Sequence, residues 1–108
     1  MKSKAHIKAG VCGNVADVVA VCPGRRQLST LEISSSCKTI QALAEKVQQV
    51  NGMHEIKYGF EGVIFSEARK LIKACCAGCI VPAGIFKIVQ VANDLALAKD
   101  AEISFIVE

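Results

Sequence analysis

Six cysteines in a chain of 108 residues are its most distinctive chemical feature: Cys12, Cys22, Cys37, Cys75, Cys76 and Cys79. As thiolates, such residues bind soft or borderline metals, and they are also the attacking groups of thiol redox chemistry. Cys76-Ala77-Gly78-Cys79 has the spacing of a metal knuckle, and Gly78 permits the turn that lets two sulfurs face one ion. Cys12-Gly13-Asn14 reads as a turn. Cys37 follows Ser34-Ser35-Ser36 at the start of a helix, where free N–H groups and the positive end of the helix dipole favour an anion. Cys12, Cys37, Cys76 and Cys79 together supply four thiolates, the number that tetrahedral zinc and the common iron-sulfur clusters take. The expectation is a small protein that binds zinc or an iron-sulfur cluster through these four residues and has no catalysis of its own. Cys75, four residues before Cys79, replaces Cys76 as a ligand if the helix continues that far. Cys22 ends an apolar run beside Pro23 and reads as a small buried hydrophobe, apolar in its contacts.

Two other chemistries use the same residues. Cys76 and Cys79 form a dithiol redox couple if Cys76 attacks and Cys79 resolves. Alternatively all the thiols are inert, and the chain is a structural or interaction domain with a protein partner. His6 alternates with Ile7 on a strand and faces solvent, while His54 lies in a loop. No P-loop, G-x-G-x-x-G, H-E-x-x-H or Ser/His/Asp set occurs.

Composition narrows the class. A hydrophobic share of 52% with 21% charged residues suits one packed domain spanning residues 1–108 rather than a disordered chain. The net charge of +3 comes from basic residues scattered along the chain, and with no Trp and one Tyr the aromatic platforms of a nucleic-acid binder are missing. Charges at Lys2, Lys4, Lys8 and Asp17 interrupt any signal-peptide core, and the uncharged run Ala74 to Phe86 contains Pro82 and is too short to span a bilayer. The expectation is a cytoplasmic protein that engages neither nucleic acid nor membrane. In that reducing compartment six cysteines point to metal or redox chemistry rather than disulfides.

The elements that must position the thiols follow from periodicity. Lys4 to Gly10 alternates as a half-buried strand, Val15 to Cys22 is a β-branched strand, and Gln27 to Ser35 is a third, together forming an antiparallel meander. Ile40, Leu43, Ala44, Val47 and Val50 recur at helical spacing until Asn51-Gly52 closes the run. His54 to Gly62 has no regular pattern. A second helix runs from about Phe65 or Ser66 through Ala68, Leu71, Ile72 and Cys75. Pro82 opens a third, with the stripe Ile85, Ile88, Val89, Ala92 and Leu95. Ala101 to Val107 alternates again and reads as a closing strand. The fold class is therefore α/β of the α+β type: a three-stranded meander, two or three helices on one face, and a C-terminal strand. Cys12, Cys37 and the Cys75–Cys79 segment should share one end of the sheet.

Two resemblances follow from these residues. Ile7-Lys8-Ala9-Gly10-Val11-Cys12-Gly13, the Cys37 site, Cys79-Ile80-Val81-Pro82-Ala83-Gly84-Ile85 and Ala96-Leu97-Ala98-Lys99-Asp100 resemble a small family of uncharacterised prokaryotic proteins, which implies no established activity. Cys12-Gly13 in a strand turn, Cys37 at a helix start and a cysteine after a later helix are similar to the three-cysteine layout of U-type iron-sulfur assembly scaffolds. That layout implies a transient [2Fe-2S] site and a cysteine-desulfurase partner. The chain departs from it at Asn14, where the scaffolds have Asp. No His precedes the last cysteine, and there is an extra thiol at Cys76 or Cys79.

Overall fold

The structure is a computed structural model describing all of residues 1–108. Strands β1 (Lys2–Lys8), β2 (Val15–Val21) and β3 (Leu28–Ser35) form the expected meander, with Lys8 opposite Val15 and Ala16 opposite Ser35. Helix α1 (Lys38–Lys46) follows, then strand β4 (Gln49–Asn51), helix α2 (Gly52–Tyr58), helix α3 (Val63–Leu71) and helix α4 (Val81–Ala92). The sheet is antiparallel throughout, in the order β1-β2-β3-β4.

Alternation along the strands sets the layers. Ile7, Ala16, Val18, Ala20, Leu31 and Val50 are buried on one face, where they join Ile40 and Leu43 of α1, Ile64 and Ala68 of α3, and Val81, Ile85, Ile88 and Val89 of α4 in one core. Helix α4 packs on β1 and β2, α1 packs on β3, and α3 fits between α1 and α4. The helices thus cover a single face, as the sequence predicts. Gly84 is what allows α4 to lie this close, because a Cβ there would overlap the Ile7 side chain.

Four features depart from the sequence expectation. The fourth strand is Gln49–Asn51, not the closing C-terminal strand: residues 101–108 form no strand and are exposed. Helix α1 ends at Lys46, and Val50, on its expected stripe, instead pairs with Ser29 in β4. Asn51-Gly52 begins a helix rather than ending one, since the Asn51 side chain accepts the His54 N–H at 3.1 Å and caps α2. A side chain at position 52 would run into Asn93. Finally, α3 stops at Leu71, short of Cys75, because Ile72 and Lys73 turn to extended backbone (ψ 122° and 162°).

The stretch Ala74–Ala92 has the length and apolar composition of a bilayer-crossing helix. It is broken between a short 3₁₀ turn over Ala74–Gly78 and α4, whose buried side chains face the sheet. The twelve residues of α4 span about 18 Å, well under the ~30 Å of a bilayer core.

Candidate functional site

The strand register decides which cysteines share an end of the sheet. The β1–β2 turn carrying Cys12 leaves and re-enters the sheet at the Lys8–Val15 pair. The β3–α1 junction carrying Cys37 leaves from Ser35, opposite Ala16, at that same end. Since Gly84 lies over Ile7, the start of α4 and the preceding turn with Cys75, Cys76 and Cys79 are also there. Three connections separated widely in sequence therefore bring five thiols to one end. Cys22 ends β2 at the opposite end.

Local hydrogen bonds hold two of these connections together. The Ser36 hydroxyl donates to Asn14 Oδ1 (2.9 Å) and accepts the Val15 N–H (3.1 Å), while the Ser35 hydroxyl donates to the Val15 carbonyl (2.6 Å) and accepts the Cys37 N–H (3.1 Å). Rather than capping α1, Ser35 and Ser36 brace the Cys12 turn against the Cys37 junction. The N-cap position falls to Cys37 itself, whose side chain makes no capping hydrogen bond and packs, half-buried, against the core. Gly10 and Gly13 have φ values of 107° and 76°, which a residue with a side chain adopts at a cost, so the Cys12 turn depends on them.

The thiols differ in environment. Cys12, Cys75 and Cys76 are exposed, while Cys79 is half-buried against the core and donates its N–H to the Cys76 carbonyl at 2.9 Å. The Cys76 thiol is held above its ordinary pKa, first by the charge of Cys75, then by partial desolvation, a hydrogen bond with Cys75, and the charges of Cys79 and Cys12. Cys12 thus lies within electrostatic reach of the Cys75–Cys79 turn. Even so, no three Cys, His, Asp or Glu side chains close around a point where an ion could sit. The thiols share one end of the sheet without forming a finished ligand shell.

Cys22 is buried as expected, but its contacts are not purely apolar: its thiol donates to the Gly24 carbonyl at 2.8 Å and also lies 3.3 Å from the Gln27 carbonyl. His6 is exposed and bonded to Asp17 at 2.8 Å. His54 lies in α2 rather than a loop, beside the Tyr58 ring.

Two buried polar residues have no sequence motif to announce them. Glu55, 1% exposed, accepts the Val63 N–H at 3.0 Å and the Ile64 N–H at 2.7 Å, capping α3 from the preceding helix. Asn93, also 1% exposed, accepts from the Ser29 hydroxyl at 2.5 Å and donates to the Arg25 and Gln27 carbonyls.

Fold and site together define a small α+β domain with one covered sheet face and a group of free thiols at one end. The chain belongs to DUF6951, a family of unknown function whose model matches residues 3–105. No curated protein and no solved structure matches it. The expectation of an uncharacterised family is met, whereas neither the likeness to U-type scaffolds nor a prokaryotic origin finds support in these comparisons.

Proposed function

We propose that this chain binds a thiophilic metal centre, a zinc ion or an iron-sulfur cluster, through Cys12, Cys37, Cys76 and Cys79, with Cys75 the competing donor beside Cys76. One observation carries the reading: thiols from three separate connections lie at one sheet end, and Cys75, Cys79 and Cys12 disfavour negative charge on Cys76. A bound cation relieves that repulsion, and four sulfurs match the preference of zinc and of cluster iron. The shell closes by movement of the Ala74–Gly78 turn and the Cys12 turn, both outside the strands and α-helices. Closing costs free energy that metal–thiolate bonding offsets.

Chemistry also favours this over the dithiol redox reading. An attacking thiol reacts as the thiolate, and a raised pKa keeps Cys76 protonated near neutral pH. Metal binding must displace that proton, so affinity falls as pH falls.

The test is metal and sulfide analysis of protein purified without air, followed by cobalt titration of the metal-free chain. One zinc or one cluster per site is expected, with thiolate-to-cobalt charge-transfer absorbance. Cys79→Ser should abolish uptake and Cys22→Ser should leave it intact. Comparing Cys75→Ser with Cys76→Ser identifies which of that pair is the ligand. A reduced, folded chain that takes up neither zinc, cobalt nor iron with sulfide refutes the proposal.

A further inference from the structure

The segment Ala101-Glu102-Ile103-Ser104-Phe105-Ile106-Val107-Glu108 has the alternation of a strand and no strand to pair with. Its apolar side chains stand in solvent, with Ile103 69%, Phe105 90% and Val107 94% exposed. A run of large apolar residues in water marks a surface that a partner covers. The segment follows α4, which ends beside Arg25 and Gln27, and it does not return to its own sheet.

The sheet offers the complementary half. Strand β1 is an outer strand, and its pairing to β2 runs through one set of alternate residues: Ala9 donates to Asn14, and Met1 accepts from Cys22. By the antiparallel pattern, the N–H and C=O groups of Lys2, Lys4, His6 and Lys8 point away from the sheet, unpaired. The side chains of these residues occupy the uncovered face, and three of the four are lysines. A lysine row deters a second β1 from pairing directly, yet it suits a strand that carries carboxylates. On the helix-covered face the same edge presents Ala5 and Ala9, which are small and only half-buried.

We propose that residues 101–107 of one copy pair, as a fifth strand, with the free edge of β1 in a second copy, reciprocally about a two-fold axis. Alternation then assigns the faces. Ile103, Phe105 and Val107 extend the apolar face beside Ala5 and Ile7, and Glu102 falls on the lysine side with Ser104 and Ile106. A one-residue slip would put the three large apolar residues among the lysines, so the parity of the register is fixed. Both halves are present in the same chain, so a closed two-fold pair leaves neither the outer edge of β1 nor the segment unpaired.

The experiment is sedimentation equilibrium of the full chain from micromolar to millimolar concentration, with variants on each half. A dimer is expected for the unmodified chain. Phe105→Asp with Val107→Asp alters only exposed side chains, and Lys4→Pro removes one outward N–H while leaving the β1–β2 ladder intact. Each should be monomeric with an unchanged circular dichroism spectrum, and mixing the two should restore a one-armed mixed dimer visible by native mass spectrometry. An unmodified chain that is monomeric throughout overturns the proposal. So does a Phe105→Asp, Val107→Asp variant that dimerises as well as the parent. Amide protection of residues 101–107 that is insensitive to dilution would also overturn it, since that would mean pairing within one chain.

Discussion

Glu55→Gln is the substitution whose effect the structure predicts most directly. The two carboxylate oxygens receive the Val63 and Ile64 N–H groups, donors of the first turn of α3 that have no partner within the helix. Ile64 is fully buried, so water cannot replace the lost acceptor. Space around the carboxylate is tight, because a Cβ at Gly62 would lie 3.1 Å from either oxygen. Glutamine keeps one acceptor and turns its NH₂ toward the other donor. One charge-assisted bond of about 1.5–3 kcal/mol is lost, and the other becomes neutral at about half its strength. Allowing for an unpaired donor, the total is about 3 kcal/mol, which for a domain of this size lowers Tm by roughly 12–24 °C. Urea unfolding followed by circular dichroism measures it, with the slope of free energy against urea expected to stay constant. A loss smaller than about 0.5 kcal/mol would show that the two bonds contribute nothing net, and the capping argument would fall.

Three further outcomes are expected. In metal-free protein, Cys76 should alkylate slowly near neutral pH and faster as pH rises past the ordinary thiol range; Cys75→Ser removes the largest repulsion, so mass mapping of iodoacetamide adducts should show its midpoint moving to lower pH. Cys22→Ala should destabilise the fold by about 1–2 kcal/mol, from lost volume and a lost thiol hydrogen bond, without changing metal content measured by elemental analysis. Gly84→Ala should cost about 1–3 kcal/mol in thermal unfolding by pushing α4 off Ile7, and Ile7→Val in the same chain should recover part of the loss.

The meander was legible because Lys4 to Gly10 alternates, because Val15, Val18, Val19 and Val21 make the next run rich in β-branched residues, and because Cys22-Pro23-Gly24 interrupts it. The shared end for Cys12 and Cys37 followed from that meander, since adjacent antiparallel strands fix which turns lie together, whereas Cys79 is brought there by α4 starting over Ile7. Local signals failed where a single dipeptide had two meanings. Asn51-Gly52 suits a helix stop equally well; it is a start because the Asn51 side chain caps α2, with Gly52 fitted tightly against Asn93, distant in sequence. Val50 continues a helical stripe on paper, but β3 has an open edge at Ser29 that captures it as β4. The strand pattern of Ala101 to Val107 describes a propensity without naming a partner, and within one chain that partner is not engaged. Glu55 and Asn93 were invisible because a capping acceptor supplied from another helix or turn leaves no fixed spacing to read.

The placement of Asn93 also has a kinetic consequence. Its amide joins the last turn of α4 to Arg25 and Gln27 across 68 and 66 residues, and to Ser29 across 64. Bonds of that span form only after the intervening chain has been drawn in and α4 has docked, so they belong to the native side of the folding barrier. Interactions made that late barely influence how fast the chain folds and chiefly set how slowly it opens. The buried amide acts as a latch on a finished fold, governing the lifetime of the native state more than the route to it.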